Sequence, residues 1–174
     1  MSALGPRALL ITGAVGVGKT TVAGDVGWEL AERGIPGAVI DLDELRRCWP
    51  APADDRFQHR LELQNLRAVS AVYREAGARV LVAAGVIGER SARPRYEEAM
   101  GVPLTVVRLT AAREVVRERL RRRHEFDPQG LAWHLDRFDE LTAILDTVQV
   151  ADVEISVDET SHATARAVLD AVWI

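Results

Sequence analysis

A glycine-rich segment with one lysine is the clearest chemical signal in the sequence. Residues 13–20 read GAVGVGKT and fill every fixed position of the pattern G-x-x-x-x-G-K-[ST]. Glycines let the backbone turn so that successive N–H groups point inward, where they can bind phosphate oxygens. The pattern predicts a nucleoside-triphosphate site, with ATP as the expected nucleotide. The predicted contacts are Gly13, Ala14, Val15, Gly16, Val17, Gly18, Lys19, Thr20 and Thr21.

Lys19 is the only lysine in a chain that otherwise uses 21 arginines as its basic residues. The use of lysine at this one position indicates a site that needs the compact charge of an ammonium rather than the planar guanidinium of arginine. We expect Lys19 to act in catalysis at the β- and γ-phosphates, and the Thr20 hydroxyl to ligate Mg²⁺. The single lysine excludes regulatory GTPases and short-chain dehydrogenases, since each needs a lysine elsewhere. The dinucleotide pattern G-x-G-x-x-G fails because residue 15 is valine.

Two acids follow the second predicted strand, in the segment Asp41-Leu42-Asp43-Glu44-Leu45-Arg46. A phosphotransferase needs a carboxylate near the acceptor hydroxyl, both to take its proton and to hold it in line. Asp41 and Asp43 are both candidates for that base, and Arg46 could bind an anionic or polar group of the acceptor. The alternative is a helix-capping aspartate within a solvated run of charges.

The order of these two segments, GxxxxGKT and then V-I-D-L-D-x-L-R, resembles the small P-loop kinases. This group includes adenylylsulfate kinase, gluconate kinase and chloramphenicol phosphotransferase. The resemblance implies an ATP- and Mg²⁺-dependent kinase that phosphorylates a hydroxyl of a small molecule. It also implies that Asp43 serves the acceptor hydroxyl and that Asp41 supports the Mg²⁺ water shell. The third strand ends in Ala83-Ala84-Gly85, without a Walker B acid, as is frequent in this group.

The segment after the third predicted strand carries candidate residues for binding the acceptor and indicates which acceptor to expect. Gly85 to Arg90 occupies the place where adenylylsulfate kinase has an aromatic residue and a proline, and this chain lacks both there. Adenylylsulfate is therefore disfavoured as substrate. Arg90, Arg93 and Arg95 are candidates for the acceptor site, with Arg90 preferred, although a solvated basic helix would have the same composition.

Five arginines fall between Arg117 and Arg123. A solvated helix face or a nucleic-acid patch would explain them, but Arg119-Leu120-Arg121-Arg122-Arg123 also resembles the R-L-x-x-R lid segment of small P-loop kinases. The resemblance implies a lid over about 117–130, with Arg119 near the adenine and Arg123 as the catalytic contact to the transferring phosphate.

The segment V-D-x-T that ends at Thr160 resembles the chloramphenicol phosphotransferase pattern, which makes Thr160 a candidate for nucleotide binding. The alternative role of Thr160 is a helix N-cap.

The elements that must position these residues alternate between strand and helix. This alternation predicts an α/β fold with a five-stranded parallel sheet, helices on both faces and ligands beyond the carboxyl ends of the strands. We predict one domain over residues 1–174. The predicted strands are 8–12, 37–41, 79–84, 103–109 and 152–157. The predicted helices are 19–33, 57–76, 89–100, 111–123, 128–146 and 161–172, with a short helical turn at 42–48.

Composition excludes several other classes. The net charge of −4 gives no global footprint for nucleic acid, and no apolar run reaches the roughly 18 residues that a membrane span needs. One cysteine, Cys48, favours a reducing cytoplasm. We expect a monomer or homodimer. The four histidines are far apart in sequence, which argues against a zinc site. Trp28, Tyr73, Trp133 and Phe138 are predicted core residues. The rival function is a regulatory or toxin-like nucleotide-binding module with little turnover.

Overall fold

The sheet has five parallel strands in the order β2-β3-β1-β4-β5. The structure is a computed structural model and describes residues 5–157 and 160–173. The strands are β1 (Arg7–Thr12), β2 (Gly37–Asp41), β3 (Val80–Ala84), β4 (Leu104–Thr110) and β5 (Val153–Ser156). The strand order brings the carboxyl end of β1 between those of β3 and β4, so the glycine-rich loop leaves the centre of the sheet.

The connections between the strands are helical, which confirms the predicted α/β fold. The helices are α1 (Lys19–Glu32), α2 (Leu42–Leu45), α3 (His59–Glu75), α4 (Arg93–Met100), α5 (Arg113–Arg123), α6 (Pro128–Val148) and α7 (Ser161–Trp173). A 3₁₀ turn over Arg90–Ala92 precedes α4. In the described part of the chain, none of the helices combines the length and apolar character needed to cross a bilayer.

The core forms two layers, one on each face of the sheet. Successive side chains of a strand point to opposite faces, so Leu9 and Ile11 of β1 contact one layer and Ala8 and Leu10 the other. The first layer includes apolar residues of α1, α5, α6 and α7, and the second includes those of α3 and α4. The site-bearing loops therefore extend from a sheet that is held on both sides.

Helix α3 does not bury the face that its sequence predicts. The apolar spacing of 57–76 predicts a buried face that includes Phe57, Leu66, Val72 and Tyr73. Of these, Phe57, Val72 and Tyr73 are exposed by 54%, 61% and 38%. Leu66 is buried as predicted, but the residues buried on the same face at intervals of four are the polar residues Glu62 and Ser70. The prediction was wrong because a stripe assigned from apolar residues leaves out a buried carboxylate that has partners elsewhere in the fold.

Other local predictions had mixed outcomes. Phe138 is buried as predicted, but Trp28 and Trp133 are 55% and 60% exposed and lie outside the core. The sequence also places Thr110 where it could cap the following helix, but Thr110 belongs to β4, and α5 begins after Ala112 with no side-chain cap. Asp127 does cap α6, because its carboxylate accepts a 2.9 Å hydrogen bond from the Gly130 backbone N–H.

Candidate active site

The glycine-rich loop turns tightly from the end of β1 into α1. Gly16 has φ of 82°, a left-handed conformation, and a Cβ there would lie 2.9 Å from the Val116 side chain. A larger residue would therefore be strained and would also push α5 away from the loop. Helix α1 begins at Lys19 with no side-chain cap, so its first N–H groups remain available for phosphate oxygens.

Lys19 folds back over this loop. Its Nζ donates a 3.0 Å hydrogen bond to the Ala14 carbonyl. Burial lowers the pKa of Lys19 to about 8, although the nearby carboxylates of Asp43 and Asp41 act in the opposite direction. Because a triphosphate would favour the charged ammonium, the side chain is placed to respond to an anion in the loop.

Asp41, the last residue of β2, joins the second strand to the loop. Its Oδ2 accepts a 2.9 Å hydrogen bond from the Thr20 hydroxyl, and its Oδ1 accepts one of 2.9 Å from the Asp43 backbone N–H. A hydroxyl and a carboxylate side by side are hard oxygen donors of the kind that Mg²⁺ prefers. The residues present therefore fit the predicted metal, with Thr20 as direct ligand and Asp41 as support for bound water.

Asp43 is held at one end of a chain of charged and polar contacts. Its carboxylate is ion-paired with Arg46, whose other terminal nitrogen lies 3.3 Å from Glu62 Oε2. The Tyr96 hydroxyl donates a 2.5 Å hydrogen bond to Glu62 Oε1. Glu62 is 1% exposed and Tyr96 3%, whereas the Asp43 side chain is 63% exposed. A buried anion thus fixes Arg46, and Arg46 in turn orients the exposed candidate base.

The protonation states of Glu62 and Tyr96 follow from their burial. Burial raises the pKa of Glu62, and the Tyr96 hydrogen bond and the Arg46 charge counteract that rise. Burial and the adjacent Glu62 raise the pKa of Tyr96 as well, so the hydroxyl remains a donor. Sequence reasoning assigned no role to Glu62 or Tyr96. The available signal was a glutamate in phase with Leu66 and Ser70 on a helix that otherwise contacts the core.

A cavity of about 720 Å³ opens beside the phosphate loop. Its wall contains Lys19, Asp43 and Arg46, so the structure brings together the loop lysine and the two residues predicted for the acceptor. Gly85 permits this arrangement, because a Cβ at that position would lie 2.5 Å from the side chain of Leu42, between the two aspartates. A small molecule in the cavity would contact the phosphate loop and the carboxylate at once.

The three arginines after β3 have different positions. Arg93 forms a two-point ion pair with Asp152 at 2.7 Å and also donates to backbone carbonyls, so it holds α4 to the sheet. Arg95 lines the cavity. Arg90, the residue preferred from the sequence, is exposed at the start of the 3₁₀ turn and is not part of the cavity wall.

Helix α5 lies against the phosphate loop. Arg119 Nη1 donates a 3.1 Å hydrogen bond to the Val17 carbonyl, which places this guanidinium beside the predicted nucleotide. Arg123, at the end of the same helix, is exposed, and its predicted contact to the phosphate stays a prediction. Thr160 Oγ1 accepts a 3.3 Å hydrogen bond from the Ala163 N–H, as an N-cap does. Asp158 and Glu159 of the V-D-x-T segment lie outside the described residues.

Two histidines that are far apart in sequence meet in the fold. The rings of His124 and His134 have centroids 4.5 Å apart, so the expectation of isolated histidines was wrong for this pair. The Nδ1 atoms are directed elsewhere: that of His134 lies 2.7 Å from the Gly130 carbonyl, and that of His124 lies 3.6 Å from Asp127. Within residues 5–157 and 160–173, no group of three His, Cys, Asp or Glu side chains could hold a metal ion.

Comparison with known proteins identifies the family of this chain. A family model described as an AAA domain matches residues 9–131, which run from within β1 through the phosphate loop and both aspartates to the start of α6. The chain belongs to this AAA domain family. No curated protein matches it in sequence.

Solved structures show the same fold as this AAA domain chain over nearly its whole length. The tunicamycin resistance protein of Deinococcus radiodurans is 24% identical, with a TM-score of 0.66, and covers 97% of this chain and 96% of its own. A gluconokinase of Sinorhizobium meliloti 1021 is 23% identical, with a TM-score of 0.59 and coverages of 95% and 90%. The APS kinase of Mycobacterium tuberculosis is 23% identical, with a TM-score of 0.56 and coverages of 95% and 96%. The chain therefore has the P-loop fold of the small kinases.

Proposed function

We propose that this protein transfers the γ-phosphoryl group of ATP to a hydroxyl of a small molecule. The observation that carries the proposal is that Lys19 and Asp43 line one cavity, which also has room for a small molecule. Transfer requires a cation at the γ-phosphate and a carboxylate at the acceptor hydroxyl. The likeness to a gluconokinase and an APS kinase supports the same class of reaction.

In the proposed phosphoryl transfer, each bond change is assigned to a residue of the site. As the acceptor oxygen forms its bond to the γ-phosphorus, the bond from that phosphorus to the oxygen of the ADP leaving group breaks. The acceptor proton passes to Asp43, which Arg46 orients. Lys19 and the backbone N–H groups of residues 13–18 stabilise the phosphoryl oxygens, and Arg119 lies beside this loop. Thr20 and Asp41 would hold Mg²⁺, which neutralises charge on the phosphates when it is bound.

The proposed function includes a lid over the phosphate loop, formed by residues 117–130. Residues 117–130 comprise the end of α5, the turn from His124 to Asp127 and the start of α6. Arg119 holds the segment to the loop, and we assign Arg123 to the transferring phosphate. Closure of such a segment would exclude water from the γ-phosphate and favour transfer over hydrolysis. We place the reaction in the cytoplasm, where ATP is available and the free Cys48 stays reduced.

The test is transfer of labelled γ-phosphate from ATP to a small-molecule extract. The wild-type protein should label at least one organic compound, whereas Lys19→Ala should label none while its unfolding curve stays close to that of the wild type. Lys19→Arg should also transfer poorly, because the guanidinium fork does not fit a site shaped for an ammonium. Tight ATP binding with no labelled product in any extract would instead favour the nucleotide-binding module.

A further inference from the structure

The cavity wall combines apolar and cationic side chains. Its apolar part is formed by Phe57, Leu63, Val86, Ile87, Trp133 and Ile144. Phe57 and Trp133 are both more than half exposed, at 54% and 60%, although each has an aromatic ring. Aromatic rings left exposed at the wall of a cavity are surfaces on which the body of a ligand can rest.

The charges of the wall are unbalanced. Among the described residues that line the cavity, five are Lys or Arg and two are carboxylates, Asp43 and Glu89. Lys19 belongs to the phosphate loop, and Arg46 is already neutralised by Asp43 and Glu62. The remaining three are Arg56, Arg95 and Arg137. Because the whole chain carries a net charge of −4, this positive wall is a local feature rather than a reflection of composition.

Arg56 and Arg95 contrast with several surface arginines elsewhere in the described part of the chain. Arg47, Arg60 and Arg67, for example, each pair with a carboxylate at 2.7 to 2.9 Å. Among the residues that the structure describes, Arg56 and Arg95 form no ion pair, although acids outnumber bases in the sequence by 26 to 22. The cavity thus presents two guanidiniums whose donors no protein carboxylate occupies.

Two arginines of the cavity wall lie beside the ring of Phe57. The guanidinium carbons of Arg56 and Arg137 lie 5.7 Å and 5.9 Å from the centre of its ring. The ring quadrupole attracts both cations, so both guanidiniums lie beside the ring of Phe57. Arg137 has one carboxylate partner, Glu140 at 2.6 Å, on the same helix. An oxyanion near Phe57 would therefore gain charge-assisted hydrogen bonds from groups that are already in place.

We propose that the acceptor is an amphipathic alcohol that carries an oxyanion, a carboxylate or a phosphate monoester. Arg56 and Arg95 bind the oxyanion, Phe57 and Trp133 contact the apolar body, and the hydroxyl is directed to Asp43. This proposal rests on the proposed kinase function, since it names the acceptor of that site. It also makes a statement about binding alone, which can be tested without turnover.

The experiment measures binding of matched fragment pairs by ligand-observed NMR, to protein saturated with ADP and Mg²⁺. One set pairs aryl and alkyl carboxylates with their carboxamides, and a second set pairs phosphate monoesters with their parent alcohols. The variants are Arg56→Gln and Arg95→Gln, and the control is Arg67→Gln, a surface change outside the cavity. The set that supplies the hits distinguishes carboxylate from phosphate as the group bound.

We expect the anionic member of each binding pair to bind more tightly than the neutral one. The preference should fall by about tenfold or more in Arg56→Gln or Arg95→Gln, as for the loss of a charge-assisted hydrogen bond, and should be unchanged in Arg67→Gln. Equal binding of neutral members, equal losses in the control, or no hits in either set would overturn the proposal. Failure of the kinase function would show separately, as absence of labelled product in the ATP assay.

Discussion

The hydroxyl of Thr20 donates a 2.9 Å hydrogen bond to the carboxylate of Asp41. This contact links the first turn of α1 to the carboxyl end of β2, 21 residues along the chain. It brings together two oxygen donors that fit a bound Mg²⁺ and its water shell, in a fold whose third strand ends without an acid. The phosphate loop and the second strand therefore act as one unit.

Asp41→Asn should raise the Mg²⁺ requirement of phosphoryl transfer. Loss of a carboxylate that supports the water shell typically weakens metal affinity by about 10- to 100-fold, so excess Mg²⁺ should partly restore activity. The measurement is the transfer rate as a function of Mg²⁺ concentration. Glu44→Gln is the matched control, because Glu44 is 63% exposed and pairs with Arg47, on the surface. An unchanged Mg²⁺ dependence in Asp41→Asn would refute this assignment.

Tyr96→Phe should destabilise the fold by about 1–3 kcal/mol, the cost of leaving a buried polar group without one partner. The hydroxyl lowers the pKa of Glu62, so its removal raises that pKa further. Protonation of Glu62 removes the buried charge, and the difference between variant and wild type should therefore shrink as the pH falls. Urea unfolding at several pH values measures both effects.

Tyr73→Phe is the control for this prediction. Tyr73 lies on α3 but is 38% exposed, so its loss of a hydroxyl should change stability by less than about 0.5 kcal/mol. If both variants lose the same stability, the buried contact between Tyr96 and Glu62 does not hold Arg46 as described.

Nucleotide affinity should decrease as the pH rises through 8. The pKa of Lys19 is about 8 in the free protein, and a bound triphosphate raises it by favouring the ammonium. Above pH 8 the free protein loses this proton and must regain it to bind, so affinity should fall by up to about tenfold per pH unit. Titration calorimetry with an ATP analogue measures affinity and proton uptake together. Lys19→Met should bind weakly and lack this pH dependence; the same slope in both proteins would assign it to another group.

Hydrogen exchange over residues 117–130 tests the lid. An ATP analogue should increase protection across this segment, because bound phosphate oxygens would give Arg119 and Arg123 an anionic partner. Residues 69–75 of α3, which are not part of the cavity wall, provide the internal reference and should not change. Equal protection with and without the analogue would favour the solvated-helix interpretation.

The sequence was sufficient for features that depend on local pattern. The loop at 13–20 and the alternation of strand and helix follow from glycine spacing and apolar periodicity, which neighbouring residues determine. Glu62 was missed because its partner Tyr96 lies 34 residues away. The exposure of Phe57 and Trp133 was missed for a related reason: only the assembled cavity shows that these rings line a wall rather than fill the core.

The most direct test of the account is Asp43→Asn, measured for both nucleotide binding and phosphoryl transfer. Affinity for an ATP analogue should stay nearly unchanged, because the loop, Lys19 and Mg²⁺ hold the triphosphate. Transfer should fall by about 10²- to 10⁴-fold, the usual effect of losing a general base. Full transfer in Asp43→Asn, together with a loss in Asp41→Asn that Mg²⁺ does not restore, would contradict the account and assign the base to Asp41.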